Sequence, residues 1–330
     1  MKITFFSTQP YDRESFLKHQ TGSCFELVFL EAKLAEHTVS LAQGSKVVCV
    51  FVNDMLDAGV IHQLSRLGVQ LIALRCAGFN NVDLAAAQAC NIRVVRVPAY
   101  SPHAVAEHAL AMIMTLNRKT HKAYNRIREQ NFSLNGLLGF DLYQKTVGVI
   151  GTGHIGEVFC RILHGLGCNI LACDPVKKTA IEAMGIPYTS MDELFARCDI
   201  LSLHCPLNET TRYLINSTTI AQMKAGVMLI NTSRGGLIDS KAIIAGLKSG
   251  KIGYLGIDVY EQEADLFFQN LSEHILQDDI IARLMTFPNV LITAHQGFFT
   301  QEALDQIARS TLDSIKQWVN GEILTNEIRQ

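Results

Sequence analysis

The sequence lacks several features that mark particular classes of protein. Its net charge is only −2, with 29 basic and 31 acidic side chains, which gives no electrostatic case for binding nucleic acid or an anionic membrane. No uninterrupted apolar stretch is long enough to cross a bilayer, and the apolar run at the start of the chain is too short for a signal peptide. We therefore expect a cytoplasmic protein without a nucleic-acid or membrane partner.

The nine cysteines form neither a disulfide framework nor a metal-binding pattern. They are scattered, and no two have the C-x-x-C spacing that is typical of zinc and redox sites. Cys49 and Cys173 lie in apolar, strand-like segments, and Cys90 and Cys160 lie in helix-like segments, where a free thiol behaves as a small hydrophobic group. We expect reduced cysteines and no bound metal.

Apolar, strand-like segments alternate with amphipathic, helix-like segments along the whole chain. This alternation predicts an α/β fold in which helices cover both faces of parallel sheets, and 330 residues suffice for two such lobes. The predicted strands are residues 2–6, 27–30, 47–50, 71–74, 93–95, 146–150, 169–173, 200–203, 227–230, 254–257 and 290–293. The predicted helices include residues 57–67, 83–89, 103–117 and 300–318.

Two closely spaced prolines separate the first series of segments from the second. Pro98 and Pro102 interrupt regular structure, and Ser101 before Pro102 is typical of a helix N-cap. We expect two doubly wound, Rossmann- or flavodoxin-like lobes, joined by hinges near Ala99 and Gln296, with an active-site cleft between them.

A glycine-rich turn connects the predicted strand 146–150 to an apolar helix pattern. The sequence Gly151-Thr152-Gly153-His154-Ile155-Gly156 has the G-x-G-x-x-G spacing of a dinucleotide-binding turn. In such a turn the first glycine permits a tight bend, the second lets the pyrophosphate approach the backbone, and the third allows the helix to pack closely on the strand. The helix N-terminus then offers unpaired N–H groups to the phosphates.

An acidic residue ends the next predicted strand. Asp174 follows residues 169–173, about 20 positions beyond the glycines, where a carboxylate can bind the hydroxyls of the adenosine ribose. Because a carboxylate repels a 2′-phosphate, the pattern favours NAD over NADP. The alternative is a glycine-rich turn of another α/β protein, with Asp174 as an ordinary strand-end residue.

Three side chains with complementary chemistry follow the later strands, where a doubly wound sheet places its active site. Arg234 can hold a carboxylate by a bidentate fork, His295 can donate a proton to a carbonyl oxygen, and Glu263 can orient that imidazole. Each of the three, taken singly, could equally be an ordinary surface or strand-end residue. Together, behind a dinucleotide motif, they predict hydride transfer between nicotinamide and a small 2-keto or 2-hydroxy acid.

The motifs around these residues resemble those of the D-isomer-specific 2-hydroxyacid dehydrogenase family, over essentially the whole chain. The resemblance rests on residues 151–156, 231–235, 258–263 and 293–296. The continuation of the third motif through residues 264–268 resembles the lactate branch in particular, and Glu263 differs from the glutamine of formate dehydrogenases. The resemblance implies reversible, NADH-dependent reduction of pyruvate to D-lactate, with Arg234, Glu263 and His295 as the catalytic residues.

The resemblance also implies residues that bind substrate and cofactor. The backbone amides of Ala77 and Gly78 would bind the substrate carboxylate, and the aromatic rings of Tyr100, Phe298 and Phe299 would restrict the pocket to small side chains. Asp258 would take the nicotinamide carboxamide. The full set implied to bind NAD is Gly151, Gly153, His154, Ile155, Gly156, Asp174, His204, Cys205, Pro206, Thr232, Ser233 and Asp258.

Domain organisation and assembly are further implications of the resemblance. It implies a discontinuous substrate domain of residues 1–100 and 299–330, an NAD-binding domain of residues 101–298, and a homo-oligomer. The small residues of the helix that begins near Pro102 suit packing against a partner, although a helix buried within the chain has the same pattern. Two alternatives stay open: a dehydrogenase for 2-hydroxyisocaproate or for glyoxylate and hydroxypyruvate, and a non-enzymatic NAD-sensing protein on the same fold.

Overall fold

The computed structural model describes residues 1–20, 25–263 and 266–328. The chain forms two compact units, the first made of Met1–Ser101 and Phe298–Gln330 and the second of Pro102–Gly297. Among the described residues, no helix combines the length and the apolar character needed to cross a membrane.

The first unit is built on a five-stranded parallel sheet of order β2-β1-β3-β4-β5, the order of flavodoxin-like folds. Its strands are β1 (Lys2–Phe5), β2 (Glu26–Phe29), β3 (Val47–Val50), β4 (Leu71–Leu74) and β5 (Arg93–Val95). Its helices are α1 (Pro10–His19), α2 (Ala58–Arg66), α3 (Leu84–Ala89) and, from the returning end of the chain, α12 (Gln301–Val319). The residues of β3 and β4 are all buried, as expected for parallel strands covered on both faces.

The second unit is built on a six-stranded parallel sheet of order β11-β10-β9-β8-β6-β7. Its strands are β6 (Thr146–Ile150), β7 (Asn169–Cys173), β8 (Ile200–Leu203), β9 (Val227–Asn231), β10 (Ile252–Ile257) and β11 (Val290–Ile292). Its helices are α4 (Pro102–Arg118), α5 (Thr120–Arg128), α6 (His154–Gly165), α7 (Thr179–Ala183), α8 (Met191–Arg197), α9 (Ser217–Gln222), α10 (Ser240–Lys248) and α11 (Asp279–Met285). The strand order reverses between β6 and β8, and ligands of doubly wound sheets bind at such a switch point.

The predicted α/β class with two parallel sheets is confirmed. Six predicted strands have the observed bounds, and the others differ at their ends; the predicted strand 290–293, for example, ends at Ile292. Helix α5 is not among the helices named from the sequence, and none of its residues is buried.

The alanines near the start of α4 are explained within the chain itself. Ala104, Ala106 and Ala109 are buried, and the last two pack in the core of the second unit. The small-residue pattern of α4 therefore gives no support to a partner subunit.

The eight described cysteines are free thiols, and most are buried. Burial raises the pKa of the Cys49, Cys160 and Cys198 thiols to about 12. At neutral pH these side chains are protonated, and they serve as small core residues.

Candidate active site

The glycine-rich turn after β6 has two glycines that the fold requires and one that faces free space. Gly151 has φ +94°, and a Cβ there would lie 2.6 Å from the backbone nitrogen of Cys205. A Cβ at Gly156 would lie 2.0 Å from the Gly151 carbonyl oxygen, so α6 packs directly on the turn. At Gly153 no heavy atom of the described residues comes within 4 Å of the Cβ position. A phosphate group therefore has room beside the N-terminus of α6.

The carboxylate of Asp174 is oriented by the same turn. Its Oδ2 accepts a hydrogen bond of 2.6 Å from the backbone N–H of Thr152, and its Oδ1 accepts one of 2.8 Å from that of Val176. The Thr152 hydroxyl lies 2.9 Å from the hydroxyl of Tyr188. Because a carboxylate has about four acceptor positions, Asp174 can bind the backbone and still accept from ligand hydroxyls.

The loop after β8 carries the half-buried His204. The His204 ring packs on Phe159 with centroids 4.7 Å apart, and its Nε2 lies 2.9 Å from the Ser202 hydroxyl. Burial lowers the pKa of His204 to about 3. Next to it along the loop, Cys205 is buried and the carbonyl of Pro206 accepts a hydrogen bond from the Thr211 hydroxyl.

Two buried polar atoms near the carboxyl ends of β8 and β9 lack partners among the described residues. They are Nδ1 of His204 and the hydroxyl oxygen of Thr232. Buried polar atoms are almost always hydrogen-bonded to protein, water or a ligand. The open space at Gly153 and these two atoms together fit a polar ligand at this edge of the sheet. A dinucleotide is such a ligand.

The turn that carries Arg234 is held by the buried side chain of Asn231. Its Oδ1 accepts from the backbone N–H of Ser233 at 3.0 Å, and its Nδ2 donates to the carbonyl of Arg234 at 2.8 Å. The Ser233 hydroxyl donates to the carbonyl of Leu203 at 2.8 Å, which ties the turn to β8. Asn231 belongs to a motif used for the family resemblance, but we had not assigned it a role.

The turn after β9 also packs against the loop after β10. A Cβ at Gly235 would lie 2.1 Å from the carbonyl carbon of Tyr260, so only glycine permits this approach. Arg234 is half-buried, and its Nη1 donates to the carbonyl of Ser233 at 2.6 Å. The structure thus brings the turn bearing Arg234 next to the loop that bears Glu263.

His295 and Glu263 are in direct contact. Nδ1 of His295 lies 2.7 Å from Oε1 of Glu263, while Oε2 accepts a hydrogen bond of 2.9 Å from the backbone N–H of Tyr260. The backbone of His295 is left-handed, with φ +54°, a conformation that is uncommon for a residue other than glycine. His295 and Glu263 keep 19% and 24% of their side chains exposed, so the pair is accessible to a small ligand.

Asp258 directly follows β10, has 1% of its surface exposed, and binds the loop after β11 that carries His295. Its Oδ1 accepts hydrogen bonds from the Thr293 hydroxyl at 2.5 Å and from the Gln296 N–H at 2.8 Å, and its Oδ2 accepts one from the Gly297 N–H at 2.8 Å. Its backbone carbonyl accepts from the N–H of His295 at 2.8 Å. The predicted contact of Asp258 with a nicotinamide carboxamide stays a prediction.

A second histidine contacts Asp258 from helix α4. Nε2 of His108 lies 3.3 Å from Oδ1 of Asp258 and 3.1 Å from the Thr293 hydroxyl oxygen. Burial favours a raised pKa for Asp258, but the hydrogen bonds with His108 and Thr293 and the charges of His108 and His295 outweigh it and lower the pKa. Thr293 belongs to a motif of the family resemblance without an assigned role, and no local pattern of the sequence singles out His108.

The residues that the family resemblance implies for substrate binding all lie in the first unit; they are Ala77, Gly78, Tyr100, Phe298 and Phe299. The amides of Ala77 and Gly78 make no hydrogen bond with the described residues, whereas their carbonyls accept from Arg96 Nη1 at 2.9 Å and from the Cys76 thiol at 3.3 Å. Two free amides on a loop whose carbonyls are anchored suit an anion.

Three predicted aromatic residues form one cluster in the first unit. The Phe298 ring lies 6.2 Å from the Tyr100 ring and 6.1 Å from the Phe299 ring, measured between centroids. Phe298 is buried, whereas 48% of Phe299 is exposed. Ala264 and Asp265, part of the segment resembling the lactate branch, lie outside the described residues.

Comparisons with known proteins point to one family. Residues 110–297 match the model described as D-isomer specific 2-hydroxyacid dehydrogenase, NAD binding domain. The chain is 52% identical over 326 residues to a 2-hydroxyacid dehydrogenase homolog of Haemophilus influenzae, covering 99% of this chain and 98% of the relative. It is 50% identical over 328 residues to D-lactate dehydrogenase of Escherichia coli, covering 99% and 100%.

A solved structure agrees with these sequence relatives. The pyruvate reductase of Chlamydomonas reinhardtii superposes with a TM-score of 0.95 at 47% identity, covering 99% of this chain and 98% of that chain.

Proposed function

Because the chain belongs to the D-isomer-specific 2-hydroxyacid dehydrogenases and contains their NAD-binding domain, we propose that it reduces pyruvate to D-lactate with NADH, reversibly. The observation that carries the proposal is the 2.7 Å contact between His295 and Glu263 at the edge of the NAD-binding sheet. The relatives named D-lactate dehydrogenase and pyruvate reductase support the choice of substrate. Reoxidation of NADH by pyruvate is the step that a fermentation requires.

His295 is the acid and base of the proposed reaction. Bound NADH supplies the hydride to the keto carbon. Since Nδ1 of His295 faces Glu263, Nε2 is the nitrogen that donates a proton to the carbonyl oxygen during reduction and accepts it during oxidation. The negative charge of Glu263 stabilises the imidazolium that must exist before reduction.

The groups proposed to bind the substrate are described separately for each unit. In the second unit, Arg234 can bind a carboxylate through its planar fork. In the first unit, the free amides of Ala77 and Gly78 suit an anionic group. The aromatic residues Tyr100, Phe298 and Phe299 restrict the side chain of the keto acid.

The residues proposed to hold NAD follow the strand-end loops of the second unit. The turn from Gly151 to Gly156, including the amides of His154 and Ile155 at the start of α6, would hold the pyrophosphate, and Asp174 would bind the adenosine ribose. His204, Cys205 and Pro206 would line the adenine side, and Thr232, Ser233 and Asp258 would line the nicotinamide side. The unpartnered atoms of His204 and Thr232 support this assignment.

A panel of 2-keto acids with NADH tests the substrate and the class of function together. We expect the highest kcat/KM with pyruvate, and a lower value with 2-ketoisocaproate because the three aromatic rings are proposed to restrict the side chain of the keto acid. A preference for the branched acid would place the protein in the neighbouring specificity branch. No turnover of any keto acid would favour the NAD-sensing alternative.

We further infer a homo-oligomer in a reducing compartment, the cytoplasm. Large apolar side chains are exposed in one continuous stretch of the second unit: Tyr124, Ile127, Phe132, Leu134 and Leu138, each with more than half of its surface exposed. Exposed apolar segments of this kind mark interfaces. The free, mostly buried thiols suit a compartment that keeps cysteine reduced.

Sedimentation velocity tests the oligomer. We expect one species larger than a monomer for the unaltered chain, and dissociation in a Leu134→Asp, Leu138→Asp variant. Ile323→Asp is the matched control, because Ile323 is 79% exposed but lies outside the stretch. A monomeric unaltered chain contradicts the inference.

A further inference from the structure

Next to the pair formed by His295 and Glu263, the second unit contains another histidine–carboxylate pair. His108, on the second turn of α4, contacts the carboxylate of Asp258 and the hydroxyl of Thr293. The His108 side chain is 15% exposed and that of Asp258 is 1% exposed, so the pair is nearly excluded from solvent. Keeping a charged carboxylate in such a place requires several donors.

The direction of each hydrogen bond in this cluster follows from the donors available. Asp258 accepts from two backbone N–H groups and from the Thr293 hydroxyl. Since Thr293 gives its only hydroxyl proton to Asp258, its oxygen can only accept from His108. Nε2 of His108 is therefore a donor, shared between the Thr293 oxygen and Oδ1 of Asp258.

The cluster holds the backbone around His295 on both sides. Before His295, Thr293 is tied to Asp258 by its hydroxyl; after it, the N–H groups of Gln296 and Gly297 point to the same carboxylate. The N–H of His295 itself binds the Asp258 carbonyl. A left-handed residue other than glycine persists only where its surroundings hold it, and these four bonds supply that restraint.

From this geometry we propose that His108 is a positioning residue for His295. By donating to Oδ1 of Asp258 and to Thr293, it keeps the carboxylate in the rotamer that binds residues 293–297. That loop conformation directs the His295 ring toward Glu263. The proposal rests on the proposed function, because it assigns His108 a role through the proton-transferring histidine.

Packing alone does not account for a histidine at this position. A residue that only fills the core has no need of a ring N–H, and an aliphatic side chain would leave Asp258 with one donor fewer. Leaving a buried carboxylate short of a donor costs more than losing an exposed hydrogen bond. We therefore expect the effect of replacing His108 to depend on whether the new side chain keeps an N–H donor for Asp258.

Three variants separate the hydrogen bond from the volume of the side chain. His108→Leu removes the donor, His108→Gln keeps an N–H donor, and Thr293→Val removes the bridging hydroxyl at similar volume. The control is His164→Gln, at an exposed histidine in the last turn of α6. Steady-state kinetics with pyruvate and NADH, and hydrogen exchange by mass spectrometry of the peptide containing residues 293–297, are measured for each.

We expect His108→Leu and Thr293→Val to lower kcat by about 10- to 100-fold, the size of effect that misplacing a catalytic group produces. The KM for pyruvate should change by less than about 3-fold, because the groups proposed to bind its carboxylate are untouched. Exchange of the Gln296 and Gly297 amides should accelerate in both variants. His108→Gln should recover most of kcat and of the protection.

The outcomes that overturn the proposal are distinct from a failure of the proposed function. Accelerated exchange with unchanged kcat in Thr293→Val would mean that the cluster has only a structural role. Unchanged exchange in both variants would mean that His108 does not hold the loop of residues 293–297. If His108→Leu does not fold, kcat and hydrogen exchange of Thr293→Val and His108→Gln still test the proposal. If the unaltered chain does not turn over pyruvate, the proposed function fails, while the exchange data still report whether His108 holds the loop.

Discussion

Oε1 of Glu263 lies 2.7 Å from Nδ1 of His295, and the other oxygen of the same carboxylate is bound to the backbone N–H of Tyr260. One carboxylate thus joins a loop amide to the imidazole, which fixes both the position and the ring orientation of the histidine. The arrangement leaves Nε2 as the ring nitrogen that is available to a ligand.

Replacing Glu263 by glutamine tests the electrostatic part of that contact. Glu263→Gln keeps the size of the side chain but removes the charge that stabilises imidazolium. We expect a lower kcat for pyruvate reduction, with part of the activity retained because glutamine can still bind the imidazole. Steady-state kinetics with pyruvate and NADH measure the loss, and full activity would mean that another acid serves His295.

Arg234→Lys tests whether a planar fork is needed for the carboxylate. Lysine keeps the positive charge but cannot bind a carboxylate through two parallel N–H bonds. We expect a KM for pyruvate raised by roughly 10-fold or more and a lower kcat, with the affinity for NADH within about 2-fold. Lys248→Arg, at an exposed site on α10, is the control. An unchanged KM would assign the carboxylate to other groups.

The carboxylate of Asp174 should make the protein prefer NADH over NADPH. Its carboxylate is held at the glycine-rich turn by the amides of Thr152 and Val176, and a 2′-phosphate would face that negative charge. We expect a strong preference for NADH, reduced in Asp174→Ala. The ratio of kcat/KM values for the two cofactors measures it. Equal use of both by the unaltered chain is the result that excludes this role.

His204 should make the protein less stable in acid. Its pKa is lowered to about 3 by burial, whereas an unfolded histidine has a pKa near 6.5. Between these values only the unfolded chain binds the proton, so this contribution is present above pH 6.5 and is lost as pH falls, by up to about 1.4 kcal/mol per pH unit.

The experiment for His204 compares unfolding free energies at pH 6.5 and pH 5. His204→Gln removes the titrating ring, so it should lose less stability over this interval than the unaltered chain does. His164→Gln, at an exposed site, should keep the original dependence. Equal losses in all three proteins would mean that His204 is not the group responsible.

The strands were predictable where burial on both faces leaves an uninterrupted apolar run. Val47–Val50 and Leu71–Leu74 were found with their observed bounds for this reason. Helix α5 was not found, and its folded form buries none of its residues, so no core position marks it in the sequence. Local pattern is a good guide where the core dictates it and a poor one elsewhere.

Some residues of the candidate site could also be predicted from the sequence, whereas others could not. Arg234, Glu263 and His295 were identifiable because each follows a strand of a parallel sheet, where sequence position predicts spatial position. The role of His108 was not identifiable, since its partner Asp258 lies far along the chain and the contact depends on how α4 crosses the sheet. Long-range polar networks of this kind carry no local periodicity.

The most direct test of the account is the product formed from pyruvate and NADH. The purified chain is incubated with both, the loss of NADH absorbance is followed, and the lactate is resolved by chiral chromatography, with His295→Ala run in parallel. We expect D-lactate in proportion to the NADH consumed, with kcat reduced by about 10²- to 10⁴-fold in the variant. L-lactate, no lactate, or undiminished turnover by His295→Ala would contradict this expectation.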